Sequence, residues 1–301
     1  MATTSENSTD TLTKLSLLAM VNKAHPRIIV PLNETSQSER ALPVAVEFAR
    51  RLHTSLVLVS VVEWPNAEHP GHPGYHESQM EPYPDLEAES VVVKTKGDRS
   101  SAIRSICLPS DIICIGADHV SAVAEIMMNS TFFDLVRDFH GPVVAVGPHA
   151  EIPPTATRVL VCVDGRPHAE ESLDLIPRLI EPAGLEPFLV QVLPESAAAL
   201  HLDTPESNYL RELARHNPEL GINGWDVLHG DPSKAIALYA HDPRVAAIAF
   251  MTDAIDAVGR IVSPSLANEL IGKATRPLVL IGSTNPVTVT RHLIAKTAKP
   301  A

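Results

Sequence analysis

Two stretches of this chain occur twice, in the same order. Gly97-Asp98-Arg99-Ser100-Ser101-Ala102-Ile103 returns as Gly230-Asp231-Pro232-Ser233-Lys234-Ala235-Ile236. Gly141-Pro142-Val143-Val144-Ala145-Val146-Gly147 returns as Arg276-Pro277-Leu278-Val279-Leu280-Ile281-Gly282. Self-similarity at a long, fixed interval is the mark of a duplicated unit, and it restricts the fold to two copies of one supersecondary plan.

The plan alternates short apolar runs with helical periodicity. In the first copy, strands are predicted at residues 27–32, 56–62, 91–95, 111–116 and 142–147. Between them, Leu42, Val46, Phe48, Ala49 and Leu52 recur at helical spacing, and Ser36 with Glu39 has the spacing of a capping box. Shorter helices are expected from Asp98 to Cys107 and from Ser130 to Phe139. Residues 63–90 read as a long loop. In the second copy, strands are predicted at 158–163, 187–193, 225–229, 245–251 and 277–282. Helices are expected from Pro167 to Ile180, at 203–216 (without a counterpart in the first copy), from Asp231 to Tyr239, and at 265–273. Asp231-Pro232 is a good N-cap and first-turn pair.

Hydrophobic residues make up 45% of the 301-residue chain but aromatics only 4%, so the cores must be aliphatic. Strands alternating with helices imply parallel sheets joined by right-handed crossovers. The fold class is therefore α/β, with two tandem open parallel five-stranded sheets flanked by helices. The expected organisation is a disordered arm at 1–25, a first domain at 26–148, a linker at 149–157, a second domain at 158–283 and a loose tail at 284–301. Residues 148–157 hold three prolines, which suits the linker.

A net charge of −12 argues against nucleic-acid or membrane-surface binding. No apolar run reaches the length of a membrane span and no secretory signal is visible, so a cytoplasmic protein is expected. Without secretion, the sequons at Asn33 and Asn129 carry no meaning. The cysteines are three, Cys107, Cys114 and Cys162, and read as buried reduced thiols. The histidine-rich stretch at His69, His72 and His76, with Glu68 and Glu77 nearby, is either a solvated loop or a weak metal site. No metal ligand is assigned. Phosphate-loop, dinucleotide and nucleophile-elbow motifs are missing from the sequence. The acidic residues a phosphoacceptor domain needs at its strand ends are missing too.

The stretch from Ile112 to Thr131 organises the first copy. A buried strand turns at Gly116, and a helix starts at Ser130 or Thr131. Thr131 has capping-box spacing to Asp134. A strand ending in glycine and followed by a helix N-terminus builds an anion site from backbone N–H groups and the helix dipole. In an open parallel sheet the ligand lies beyond the strand ends where strand order reverses.

This stretch resembles the ATP motif of the universal stress protein family: Gly, two residues, Gly, nine residues, Gly, then Ser or Thr. The spacing falls on Gly116, His119, Asn129 and Ser130. The first glycine and the hydroxyl match, and the other two glycines are replaced. The resemblance covers roughly residues 26–282 and implies the adenine-nucleotide alpha hydrolase-like fold. It implies that Pro31 and Asn33 face the adenosine, that Val61 touches adenine, and that Gly116, His119 and Asn129 wrap phosphate. Ser130, helped by Thr131, would donate to phosphate. In the second copy the matching residues are Asp164, Val192 and Ser265, read as vestigial. There Met251, Ala254 and Pro264 replace the three glycines, adding bulk and removing an N–H. Asp164 reads equally as a turn residue.

The resemblance thus implies a regulatory protein of the stress response that binds ATP, with accompanying Mg²⁺, or another adenine nucleotide in its first domain. The alternative is an interaction or scaffold module of the same fold that works without nucleotide. No catalytic residue is assigned, and slow ATP hydrolysis is the most the resemblance permits. The same resemblance implies pairing of the fifth strands in a pseudo-dimer of the two domains, and a homodimer of the chain.

Overall fold

Residues Ile112 to Gly116 are buried at every position. A strand covered by helices on both faces requires such a run. The computed structural model describes residues 26–63, 74–118, 131–139, 141–164, 173, 180–195, 205–252 and 264–282. The side chains of 205–207, 251, 252, 264, 265 and 282 lie outside that description. The expected arm, the expected helix from Pro167 to Ile180 (apart from Leu173 and Ile180) and the expected tail also fall outside it.

The strands of the first half are β1 (Ile28–Pro31), β2 (Leu56–Glu63), β3 (Ala88–Thr95), β4 (Ile112–Gly116) and β5 (Val143–Val146). Those of the second are β6 (Arg158–Cys162), β7 (Glu186–Leu193), β8 (Gly224–His229), β9 (Val245–Thr252) and β10 (Leu278–Gly282). They share one ten-stranded sheet, ordered β3-β2-β1-β4-β5-β10-β9-β6-β7-β8. Within each half every pairing is parallel. The halves meet where β5 and β10 run antiparallel, with Val144 opposite Val279. The expected pairing of fifth strands is therefore present, and it fuses the two five-stranded sheets into one. Because that single junction is antiparallel, the carboxyl ends of the two parallel sets lie at opposite rims.

The described helices are α1 (Ser36–Glu39), α2 (Ala41–Leu52), α3 (Tyr75–Met80), α4 (Arg99–Arg104), α5 (Thr131–Asp138), α6 (Pro205–His216), α7 (Pro232–Tyr239) and α8 (Pro264–Lys273). Alternate strand residues feed two apolar layers. Ile28 and Val30 join Leu42, Val46 and Ala49 of α2 in one layer. Ile29 joins Phe132 and Leu135 of α5 in the other. Both layers cross the junction: Val144 and Val279 share the first, while Val143, Ala145, Leu278 and Leu280 share the second. The linker is packed as well. Arg51 donates to the Ala156 carbonyl at 2.7 Å, and Glu151 N–H donates to Thr275 O at 3.0 Å.

The repeated Gly-Asp segments fold alike. Asp98 caps α4 by accepting from Ser101 N–H at 2.9 Å, and Asp231 caps α7 by accepting from Lys234 N–H at 3.0 Å. Three expectations need correction. The cap of α1 is Thr35, whose hydroxyl accepts from Ser38 N–H, so Ser36 is already helical. Residues 63–90 are not all loop: α3 occupies 75–80 and β3 begins at Ala88. The first half therefore does have a helix between its second and third strands, where α6 stands in the second. One and a half turns of helix are too short to show a period.

Cys107, Cys114 and Cys162 are free, and Cys114 is buried. Burial pushes the Cys107 thiol up to about 12, so it is unreactive at neutral pH.

Val144 and Val279 are 1% and 2% exposed. Val279→Ala is expected to cost about 2 kcal/mol in chemical denaturation. With Val144→Ala in the same chain, the two losses are expected to be non-additive, because the residues touch across the junction. Strict additivity would show that the halves are not coupled there.

Candidate functional site

β1 lies between β2 and β4, so strand order reverses beside it. The chain leaving β1 enters α1 and α2 on one face, and the chain leaving β4 reaches α5 on the other. That divergence opens a crevice beyond the ends of β1 and β4. Pro31 and Gly116 both arrive there.

The β1 side is held by local hydrogen bonds. Leu32 N–H donates to Val59 O at 2.8 Å and continues the sheet for one residue. Asn33 then turns out to solvent, and its N–H donates to Ser38 Oγ at 3.1 Å. Its Oδ1 accepts from Thr35 Oγ1 at 2.6 Å. The Asn33 carboxamide oxygen thus serves the cap of α1. Glu34 takes a left-handed φ of 59°, the sharp turn between strand and helix.

On the β4 side, Ala117 N–H donates to Val146 O at 2.9 Å, so the chain stays on the sheet one residue past Gly116. A Cβ at Gly116 would fall 1.8 Å from the Gln37 carbonyl oxygen of α1. The missing side chain makes room for a helix backbone. Packing alone accounts for glycine at this position, and the motif spacing does not reveal that. Past it, Asp118 pairs with Arg40 at 2.5 Å, tying the loop after β4 to the junction of α1 and α2 across the crevice.

Val61 is half-buried on β2 and packs on the layer that includes Ile103 and Phe132. Thr131 is the first described residue of α5, and the expected capping box from Thr131 to Asp134 turns on residues outside the description. Asp134 pairs with Arg137 at 2.8 Å. His119, Asn129 and Ser130 lie outside the described residues. Pro31, Asn33 and Gly116 thus stand at or just past the carboxyl ends of the neighbouring strands β1 and β4, and Asp118 with Arg40 joins the two segments from outside the motif.

In the second half, Asp164 stands exposed after β6, and Val192 is half-buried on β7. Pro264 opens α8, a first-turn position that needs no N–H. Ser265 follows it, with its side chain outside the described residues. Met251 lies on β9, its side chain also undescribed, and Ala254 lies outside the described residues. This rim opens on the side of the sheet opposite the first.

Sequence reasoning missed a set of polar contacts around the buried His76. Ser60 Oγ on β2 donates to Leu32 O at 3.4 Å and meets His76 Nε2 at 2.9 Å. His76 Nδ1 meets Ser90 Oγ on β3 at 2.5 Å. Since the single Ser60 proton is committed to Leu32, the neutral ring carries its proton on Nε2, and Nδ1 accepts from Ser90. Burial pushes His76 below its ordinary 6.5, against the pull of Glu77 and Glu34. One residue earlier, Tyr75 donates to Glu39 at 2.9 Å and ties α3 to α1. His76 is thus a bracing residue, with both ring nitrogens taken by hydroxyls. His69 and His72 lie outside the described residues. Among the described residues, no group of three or more His, Cys, Asp or Glu side chains could hold a metal ion. The signal for these contacts is Ser60, placed within the otherwise apolar run of β2.

A model of the universal stress protein family matches residues 25–147. Over that span the chain is similar to the universal stress protein family. The second half repeats the strand order of the first beyond the matched span. Among solved structures, a universal stress protein from Archaeoglobus fulgidus DSM 4304 covers 85% of this chain and 98% of its own, at 15% identity and a TM-score of 0.61. A functionally unknown protein from Pseudomonas aeruginosa PAO1 covers 93% of this chain and 99% of its own, at 13% identity and a TM-score of 0.56. These likenesses show that the fold is shared along 85–93% of the chain. No curated protein matches the chain.

Gly116→Ala is expected to destabilise the protein by about 1–3 kcal/mol without any ligand, since the obstacle is helix backbone. Unchanged denaturation would contradict that packing role. His76 has a folded pKa below its unfolded value, so its contribution is complete above pH 6.5 and is lost as pH falls through the folded pKa. Compared with His76→Gln, the parent should lose stability more steeply between pH 7 and 5. Parallel pH profiles of the two denaturation midpoints would refute it.

Proposed function

We propose that the universal stress protein domain binds an adenine nucleotide at the crevice between β1 and β4, and that the chain acts as a cytoplasmic regulator of a stress response. The supporting observation is geometric: strand order reverses at that point, and Pro31, Asn33 and Gly116 converge on it. Thr131, at the start of α5, would offer its hydroxyl and the positive end of the helix to a phosphate, with Ser130 beside it. Asn33 would meet the ribose and Val61 the base. His119 and Asn129 would shape the loop between. ATP with Mg²⁺ is one member of this ligand class, and Mg²⁺ would arrive with the nucleotide. Ligand binding would signal through contacts with partners, including a homodimer, and the role needs no catalysis beyond slow hydrolysis. Among the described residues, no helix is long and apolar enough to cross a membrane. In the second half Asp164, Val192 and Ser265 mark the same place in a copy where Met251 and Pro264 disfavour phosphate.

A second reading is an interaction module of the same fold that has dispensed with nucleotide. Asn33 oxygen is spent on the Thr35 cap, and Gly116 is explained by Gln37. The two readings separate in one experiment. The protein is purified and assayed for co-purified nucleotide, then titrated with AMP, ADP and ATP by calorimetry. Saturable binding is expected, weakened at least about tenfold by Asn33→Leu. No binding of any of the three at millimolar concentration would leave the interaction module.

A further inference from the structure

We propose that the outer edge of β3 pairs antiparallel with β3 of a second copy of this chain, forming a two-fold dimer that continues the sheet. The inference is independent of any ligand. It is carried by the backbone and the residue pattern of one edge strand.

β3 stands at one end of the ten-stranded order and β8 at the other. Leu56 N–H donates to Glu87 O at 3.0 Å, which fixes the alternation along β3. Glu89, Val91 and Val93 turn their backbone groups toward β2, while Ser90, Val92 and Lys94 turn theirs outward. Among the described residues no strand pairs with that outward side. Ser90 and Lys94 are exposed, and Val92 is 48% exposed. Val91 and Val93 pack half-buried on the layer that contains Ile103. The other edge is guarded: in β8 the Val227 N–H is taken by the Asp226 carboxylate at 2.9 Å. β3 has no proline and an unbroken register with β2, so it offers a straight, largely apolar template.

The residue pattern selects the partner. Glu87 and Glu89 precede the three valines and Lys94 follows them. A parallel neighbour of the same sequence would set like charges side by side. An antiparallel copy brings the acidic start of one strand to the basic end of the other. A two-fold axis normal to the sheet keeps every residue on its own face, so odd-numbered residues stand opposite odd and even opposite even. With Val92 on the axis, Val91 meets Val93 of the second copy, Ser90 meets Lys94, and Glu89 meets Thr95. All three valines are then covered, and no like charges stand opposite each other. A shift of the register to the next allowed step sets a valine against Glu89 or Lys94. In the chosen register Ser90, Val92 and Lys94 exchange backbone hydrogen bonds with the same residues of the copy. β5 and β10 already join the two halves in this mode. The two-fold contact is isologous and closes at the dimer. One strand pair is narrow, below the roughly 1,200 Å² of standard interfaces, so the dimer is reversible and follows concentration.

Sedimentation of the full chain between about 1 and 300 μM tests this. The average mass should rise from one chain toward two and stop there. Val92→Lys should weaken association at least about tenfold, because it sets two ammonium groups opposite each other on the axis. Mild oxidation reads the register independently and decides the matter if Val92→Lys fails to fold. Val92→Cys should form a disulfide-linked dimer. Val91→Cys and Val93→Cys should each stay unlinked alone and should link when mixed. The parent, with its own three thiols, is the control. A parent that stays monomeric throughout overturns the inference, as does a mass that grows past two chains. A dimer that survives Val92→Lys, or one that leaves Val92→Cys unlinked, lies on another surface and overturns it equally.

Discussion

The antiparallel pairing of β5 with β10 is the constraint on which the rest of the structure depends. Each half alone would end in an apolar strand with unpaired N–H and C=O groups, a template for aggregation. Joined, Val143, Val144 and Ala145 meet Leu280, Val279 and Leu278, and two apolar layers run unbroken across the molecule. The pairing also sets polarity. Since all other ladders are parallel, the two reversal points open at opposite rims. A ligand at one rim cannot touch the other, so whatever the two copies do they do at separate ends of the sheet.

That shared core has a local consequence at the first crevice. α1 sits so close to the end of β4 that only glycine fits at 116. At the junction a similar contact binds the halves: a Cβ at Gly147 would fall 2.1 Å from the Ile271 carbonyl oxygen of α8. Both glycines stand at a strand's end against the backbone of a helix from another segment, and both answer to packing. A glycine in a nucleotide motif can thus be retained by the fold after its neighbours in the motif have been exchanged, as they are at His119 and Asn129.

The side chains that follow β1 and β4 include Glu34, Glu39 and Asp118, and Asp118 is paired with Arg40. The brace behind the crevice is polar and neutral. His76 is held between Ser60 and Ser90 on the far side of Leu32, and Tyr75 anchors α3 to Glu39.

The sequence by itself determined the duplication, the alternation of strands and helices, and the pairing of like segments such as Asp98 and Asp231, which cap α4 and α7 alike. Those are local properties: apolar runs, helical spacing and cap residues act over a few neighbouring positions. Pro31, Asn33 and Gly116 were legible as residues at strand ends because an apolar run and its closing turn are also local. The helix α3 was not, because six residues amid Pro, Gly and His carry no period. Nor were the partners that decide what the site can do. Gly116 with Gln37, Arg40 with Asp118, and His76 with Ser60 and Ser90 are contacts between segments far apart or unordered in sequence pattern. Only tertiary packing brings such groups within hydrogen-bond reach, because the sheet order, not the chain order, chooses their neighbours.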